Sequence, residues 1–186
     1  MVGDVYLHTP RVVVPGRGLS PSQYDHPDRR HRVAEDDVDF AVAAYRDEGA
    51  WRVVELNPQL GLDVDDLSEA LARFPSEVGV LGMVSMNDDF FVILRRSGTR
   101  VRAMLSDVTA VDEWRLAGGV AELIDLPDAE DDDARAVGDL EILSDLGVTA
   151  FDLGMLCDDD DLYPGDILLD LADRLGFGAE LEAILD

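Results

Sequence analysis

The strongest constraint on the fold lies between residues 38 and 105, where short apolar runs alternate with turn signals only a few residues long. Phe40-Ala41-Val42-Ala43-Ala44-Tyr45 and Trp51-Arg52-Val53-Val54-Glu55-Leu56 flank Asp47-Glu48-Gly49-Ala50, a spacing that reads as a β-hairpin. Val78 to Met86 and Phe90 to Arg96 lie on either side of Asn87-Asp88-Asp89, and Ser97-Gly98 turns the chain into Thr99 to Leu105. Parallel strands need crossovers of about a dozen residues, so connections this short point to an antiparallel sheet. One helix interrupts it. Leu67, Ala70, Leu71 and Phe74 recur at helical spacing behind Asp65-Asp66, read as the caps, and Pro75 ends the run.

Beyond residue 105 the pattern becomes helical. Ser106 or Asp107 is placed to cap a helix through Val111, Trp114 and Leu116 toward Val120, with Gly118-Gly119 weakening its middle. Pro164 suits a first helical position, Ile167, Leu168, Leu171 and Leu175 form an apolar stripe, and Gly176 stops it. Ala179 to Leu185 reads as a last short helix. The expected class is α+β: an antiparallel sheet module with a packed helix, followed by a small C-terminal helical module. The expected divisions are a poorly ordered tail at 1–37, a β-rich α+β domain at 38–125, an acidic linker at 126–137 and a helical module at 138–186. The tail is rich in Pro, Gly and Ser and lacks sustained periodicity. Its Arg29-Arg30-His31-Arg32 cluster reads as part of a solvated, self-neutralised linker, with nucleic-acid contact as the alternative.

Charge then narrows the partners. The 186 residues carry 41 acidic and 15 basic side chains, a formal net charge of -26. Residues 1–36 hold five Arg and five acids, so the whole excess falls on residues 37–186. From Asp125 to Asp166 fifteen acids face one Arg, a net of -14 in 42 residues. Such a surface repels phosphate backbones and anionic lipid, so neither direct nucleic-acid binding nor membrane association is expected. The sequence has no apolar run of about 18 residues, and Val12-Val13-Val14 is too short for a signal core. The expected location is the cytoplasm.

Several chemistries lack their residues. All basic side chains are Arg, which removes Schiff-base, Ser–Lys and phosphate-loop lysines together. The imidazoles, His8, His26 and His31, all fall in the tail, so a packed site downstream has no base of neutral pKa and no histidine zinc ligand. Cys157 has no internal disulfide partner and reads as a buried small apolar residue. The Asp158-Asp159-Asp160-Asp161 run fails the Ca²⁺-loop pattern, since Tyr163 stands at the central glycine position. Asp63-Val64-Asp65 begins like a phosphatase nucleophile motif but is followed by Leu67 where Thr or Val belongs. Gly16-Arg17-Gly18 and Gly176-Phe177-Gly178 lack the rest of a dinucleotide fingerprint. No catalytic residue, metal site or cofactor is assigned, and the chain is not expected to be an enzyme.

One repeat suggests binding instead. Asp145-Leu146-Gly147 recurs as Asp152-Leu153-Gly154, between Ile142-Leu143 and Met155-Leu156. The plain reading is two helix-end or turn segments that bury leucines. The functional reading is a partner-docking groove with Leu146, Phe151, Leu153 and Leu156 as its apolar floor and an acidic rim. The candidate partner-binding residues are Asp145, Leu146, Phe151, Asp152, Leu153, Asp158, Asp159, Asp160 and Asp161.

Five groups of segments resemble one known family. They are Phe40-Ala41-Val42-Ala43-Ala44-Tyr45 with Trp51, Gly82-Met83-Val84-Ser85 with Asp89-Phe90-Phe91-Val92-Ile93, Leu105-Ser106-Asp107-Val108-Thr109-Ala110, Gly138-Asp139-Leu140, and Leu162-Tyr163-Pro164 with Arg174-Leu175-Gly176-Phe177-Gly178. Together they resemble the bacterial tRNA adenosine deaminase-associated protein family over residues 38 to 186. The resemblance implies a partner, the wobble-adenosine deaminase of tRNA, and carries no catalytic signature. The zinc-ligand pattern of the deaminase itself, His-x-Glu with Cys-x-x-Cys, is absent. The expected function is a non-catalytic acidic accessory protein that binds the deaminase or another basic protein through residues 125–166. Two other readings stay open: a carboxylate enzyme using Mg²⁺, and a structural protein that forms a homodimer through its sheet.

Overall fold

The structure, a computed structural model, describes residues 37–75, 77–127 and 133–186. The expected tail up to residue 36 and residues 128–132 of the expected linker lie outside the described residues. Six strands are described: β1 (Val38–Asp47), β2 (Ala50–Glu55), β3 (Val80–Met86), β4 (Phe90–Ser97), β5 (Arg100–Leu105) and β6 (Val137–Gly138). They form one antiparallel sheet in the order β2-β1-β3-β4-β5-β6. The β1–β2 loop is two residues, Glu48 and Gly49, both at positive φ between the paired Asp47 and Ala50. That is the primed-turn geometry whose twist suits a hairpin.

Side chains alternate between two faces, except at a register shift between Val38 and Phe40, which sends those two residues to opposite cores. On the first face Ala41, Ala43, Val84, Val92, Leu94 and Leu105 pack against α1 (Val64–Leu71) and α2 (Arg115–Leu123). On the second, Phe40, Val42, Met83, Ile93 and Met104 pack against Ile142, Leu143 and three helices. These are α3 (Ala150–Cys157), α4 (Pro164–Leu175) and α5 (Gly178–Leu185). The fold is α+β, with the C-terminal helices laid on the second face of the sheet. All of β3 and the first six residues of β4 are therefore buried. Each fully buried Leu or Phe on this face, such as Leu168, Leu171, Phe177 and Leu181, contributes about 1.5–3 kcal/mol of transfer free energy. Among the described residues no helix is long and apolar enough to cross a membrane.

Three local expectations are corrected. The cap of α1 is Asp63, whose Oδ1 accepts from the N–H groups of Asp65 (2.9 Å) and Asp66 (3.2 Å). Asp65 and Asp66 sit in the first turn, where their charge suits the helix dipole. The helix expected from residue 106 or 107 is divided. Asp107 caps a 3₁₀ turn at Val108–Asp112, and Trp114 then takes an extended backbone that seats its ring 5.7 Å from Phe90. Gly118-Gly119 lies inside α2, and Gly119 serves close packing there: a Cβ on it would sit 3.1 Å from Val64 Cγ2. Finally, the second Asp-Leu-Gly triplet is neither a helix end nor a turn but part of α3. Thr149 and Asp152 form a capping box that starts the helix ahead of it.

Candidate partner-binding site

The residues singled out from the sequence divide by role. Asp145 receives a bidentate ion pair from Arg95, with Nη1 to Oδ1 at 2.5 Å and Nη2 to Oδ2 at 2.7 Å. Arg95 stands on β4 and is only 4% exposed. Its Nε donates to the Val78 carbonyl (3.0 Å) and its Nη1 to the Ile142 carbonyl (2.7 Å). One guanidinium thus ties the sheet to the segment entering the C-terminal helices. The hydrogen bonds from Arg95 hold the Asp145 carboxyl below the usual range. Asp152 is held low as well, first by the Thr149 hydroxyl and then by the Thr149 N–H, as its capping role requires.

The expected apolar floor separates. Leu153 is fully buried, and Leu146 and Leu156 pack on the core of the second face. Phe151 stands out, 75% exposed, with Met155 one helical turn later at 57%. An i, i+4 pair shares one side of a helix, so both present the same side of α3 to solvent. Leu162 and Tyr163, in the connection to α4, are exposed too, Tyr163 at 62%. Met155, Leu162 and Tyr163 were not assigned to the site from sequence; the T-x-x-D capping box at Thr149 fixes the helical register that reveals the first of them.

Leu162 also lines a cleft of ≈ 360 Å³. Its walls come from the β3–β4 turn (Asp88, Asp89), the end of β5 (Ser106, Asp107), Arg135, and the end of α3 with the following loop (Cys157, Asp158, Asp159, Asp160). Phe91, Leu162, Pro164 and Ile167 supply apolar lining. Asn87 and Asp88 turn the chain at φ 51° and 52°, a conformation that Asn and Asp tolerate better than most residues. The Asp88 N–H donates to Asp39 Oδ2 (3.0 Å), which also accepts from Ser85 Oγ (2.8 Å). Across the cleft, Ser106 Oγ accepts from the Phe91 N–H (2.8 Å), and the Arg135 carbonyl accepts from the Val108 N–H (2.9 Å). Asp161, the last of the acidic run, lies beyond the cleft lining and donates its N–H to Asp159 Oδ1 (3.1 Å).

Six Asp and one Arg therefore line the cleft, so it presents negative potential to anything that approaches it. Cys157 is half-buried; burial and then the Asp158 charge push its thiol up to about 12. It stays protonated at neutral pH and is a poor nucleophile. Among the described residues no group of three or more His, Cys, Asp or Glu is arranged to hold a metal ion. Asp89-Phe90-Phe91, Ser106-Asp107 and Leu162-Tyr163-Pro164, three stretches that carry the family resemblance, meet at this cleft.

Comparison with known proteins gives a consistent result. The sequence model of a family described as "Rv3753c-like tRNA adenosine deaminase-associated protein" matches residues 39–178. A curated relative, "Protein Rv3753c" of Mycobacterium tuberculosis (strain ATCC 25618 / H37Rv), is 35% identical over 160 residues, spanning 83% of this chain and 92% of the relative. No solved structure matches.

Proposed function

The chain belongs to the Rv3753c-like tRNA adenosine deaminase-associated protein family, and from that premise we propose that it is a non-catalytic accessory protein of the deaminase in the cytoplasm. It docks a basic, tRNA-binding surface of the enzyme through Phe151, Met155, Leu162 and Tyr163, with the acidic cleft as a flanking rim. The observation that carries this reading is the exposure of those four apolar side chains within residues 151–163, a stretch whose Cys157, Asp158, Asp159, Asp160 and Leu162 line the acidic cleft. Scattered exposed apolar residues are ordinary, whereas a group with a charged border marks an interaction surface. The parts divide the work. Buried aromatic and Met anchors set the dissociation rate, and the charged rim sets association rate and orientation. An enzyme that binds tRNA presents Arg and Lys to phosphates, so the acidic rim complements it. Such docking competes with tRNA for the same surface.

The test is co-purification with the deaminase at about 50 mM salt, comparing the native chain with a F151S/M155S variant. Retention of the native chain and at least tenfold weaker binding by the variant are expected, the size for loss of two interface anchors. Absence of binding by the native chain, or equal binding by the variant, overturns the reading.

A second reading, a carboxylate enzyme that uses Mg²⁺, has the six aspartates of the cleft lining in its favour and the lack of an arranged metal-ligand group among the described residues against it. A specific cation site would raise the melting temperature at micromolar Mg²⁺, whereas relief of diffuse repulsion needs millimolar salt.

A further inference from the structure

Strand β2 closes one end of the sheet, and no described strand pairs with its outer edge. The Leu56 N–H donates to the Ala41 carbonyl (2.8 Å), and the β1–β2 register sets Val54 against Ala43 and Arg52 against Tyr45. Alternate residues of an antiparallel strand aim both backbone groups the same way. Ala50, Arg52 and Val54 therefore bond to β1, whereas the N–H and C=O groups of Trp51, Val53 and Glu55 point outward. Arg52, Val54 and Glu55 are exposed, and β2 carries neither a proline nor a bulge. Proteins seldom leave such an edge bare. Beside it lie two donors without partners. Arg46 Nε and Trp51 Nε1 are shut off from water and have no hydrogen-bond partner among the described residues. Trp51 is 9% exposed, packed on Phe177 with ring centroids 4.8 Å apart, and the Arg46 guanidinium lies 5.0 Å from the Trp51 ring centroid. Arg46 forms no ion pair among the described residues.

We infer that the outer edge of β2 receives β2 of a second copy of this chain, antiparallel about a two-fold axis through Val53. An axis normal to the sheet keeps each face on its own side, so only residues of the same face stand opposite each other. Centring on Val53 meets this condition and uses every outward residue. Val53 then pairs with Val53 of the second copy, and Trp51 with its Glu55, each pair exchanging two hydrogen bonds. Centring on Arg52 would oppose two guanidinium groups, and centring on Val54 would set Trp51 against Asn57, past the end of the strand. The Val53 register lines up Arg46, Trp51 and Glu55 of the second copy across three strands, on the face that α5 covers. The Arg46 and Glu55 Cα atoms are then about 10 Å apart, a gap that the two side chains bridge. A carboxylate so placed is the counter-charge that Arg46 lacks and an acceptor in the row of the two unpartnered donors. On the other face Arg52 lies opposite the exposed Val54, which its methylenes cover. Charge favours this edge as well. Each copy carries -26, but β2 holds one Arg and one Glu, so two copies meet here along a neutral strand. The cleft, walled by the β3–β4 turn and the end of β5, lies away from β2 and stays open in the dimer.

The test is sedimentation equilibrium of the full chain from about 1 to about 300 μM at about 150 mM salt. A reversible dimer is expected. E55Q, at an exposed residue, removes both inter-copy carboxylates and should raise the dimer dissociation constant at least tenfold. V53P removes only an outward N–H and should abolish the dimer; if it also unfolds the chain, E55Q and cross-linking decide. In a C157S background, mild oxidation should link V53C chains, because a hydrogen-bonded pair sets its Cα atoms about 5.5 Å apart. R52C and V54C should stay unlinked, each lying about 8 Å from its own copy. A monomer throughout the range overturns the inference, as does a dimer indifferent to E55Q, or linking at R52C or V54C in place of V53C. If the chain is monomeric while V53P loses retention of the deaminase, a strand of that partner occupies the edge and the inference falls. The dimer is measured without the deaminase, so failure here leaves the F151S/M155S test standing, and the converse holds.

Discussion

Replacing Asp145 by Asn removes the charge that faces the guanidinium of Arg95 while keeping size and one carbonyl acceptor. Arg95 is 4% exposed, so the substitution leaves its guanidinium with neutral acceptors alone, the Val78 and Ile142 carbonyls and the amide oxygen of the new Asn. Breaking a buried pair costs about 3–5 kcal/mol. The Asp145 side chain is 59% exposed, so water screens part of the loss, and about 2 kcal/mol is expected. For a chain of this size that lowers the melting temperature by about 4–8 °C. Urea unfolding of native, D145N, R95M and the double variant measures the coupling directly. D145N should cost less than about 0.5 kcal/mol once Arg95 is Met, because no charge remains to neutralise. The pH dependence has a defined sign. Asp145 is held below its unfolded value of about 3.9, so its contribution is complete above that pH and is lost as the pH falls through the folded pKa. The gap between native and D145N should be flat from pH 5 to 8 and close only in acid. A D145N cost equal in both backgrounds, or below about 0.5 kcal/mol in the native one, would refute the pinning role.

Gly138→Ala places a Cβ 2.5 Å from the Ala103 carbonyl oxygen at φ +94°, against backbone that cannot swing aside. A loss of about 2 kcal/mol or more in chemical unfolding is expected; an unchanged midpoint would show that β6 need not pair with β5. Cys157, with its thiol at about 12, should react with iodoacetamide at pH 8 several hundredfold more slowly than a free cysteine, because thiolate is the reactive form. Denaturant should restore the ordinary rate. Rapid labelling of the folded chain would contradict the burial of that sulfur.

The sheet was legible because its connections are short and carry turn residues. Asp47-Glu48-Gly49-Ala50 and Ser97-Gly98 sit at the expected reversals, and each boundary of the five expected strands lies within about two residues of its place in the structure, while the two-residue β6 was not foreseen. The covered second face was less legible. Val80 to Met86 is continuously apolar apart from Gly82 and Ser85, which removes the in–out alternation that would have assigned each side chain to a face. Helix α3 was hidden by its glycine: Asp152-Leu153-Gly154 copies Asp145-Leu146-Gly147, yet the capping box at Thr149 carries the second copy into a helix. The proposed docking face depends on that register. Without it, Phe151 could not be separated from Leu153, which turns inward. Arg95 and Asp145 are 50 residues apart, and nothing in the sequence pattern pairs them. The cleft draws on four separated stretches of chain, so only the folded sheet brings its carboxylates together.

The most direct measurement is titration of the purified chain against tRNA adenosine deaminase at about 50 mM and about 300 mM salt, with and without saturating tRNA. Docking through an acidic rim around apolar anchors requires binding at low salt, a loss of at least tenfold at high salt as screening grows, and displacement by tRNA. Absence of binding at both salt concentrations, or an affinity indifferent to salt and to tRNA, would contradict it.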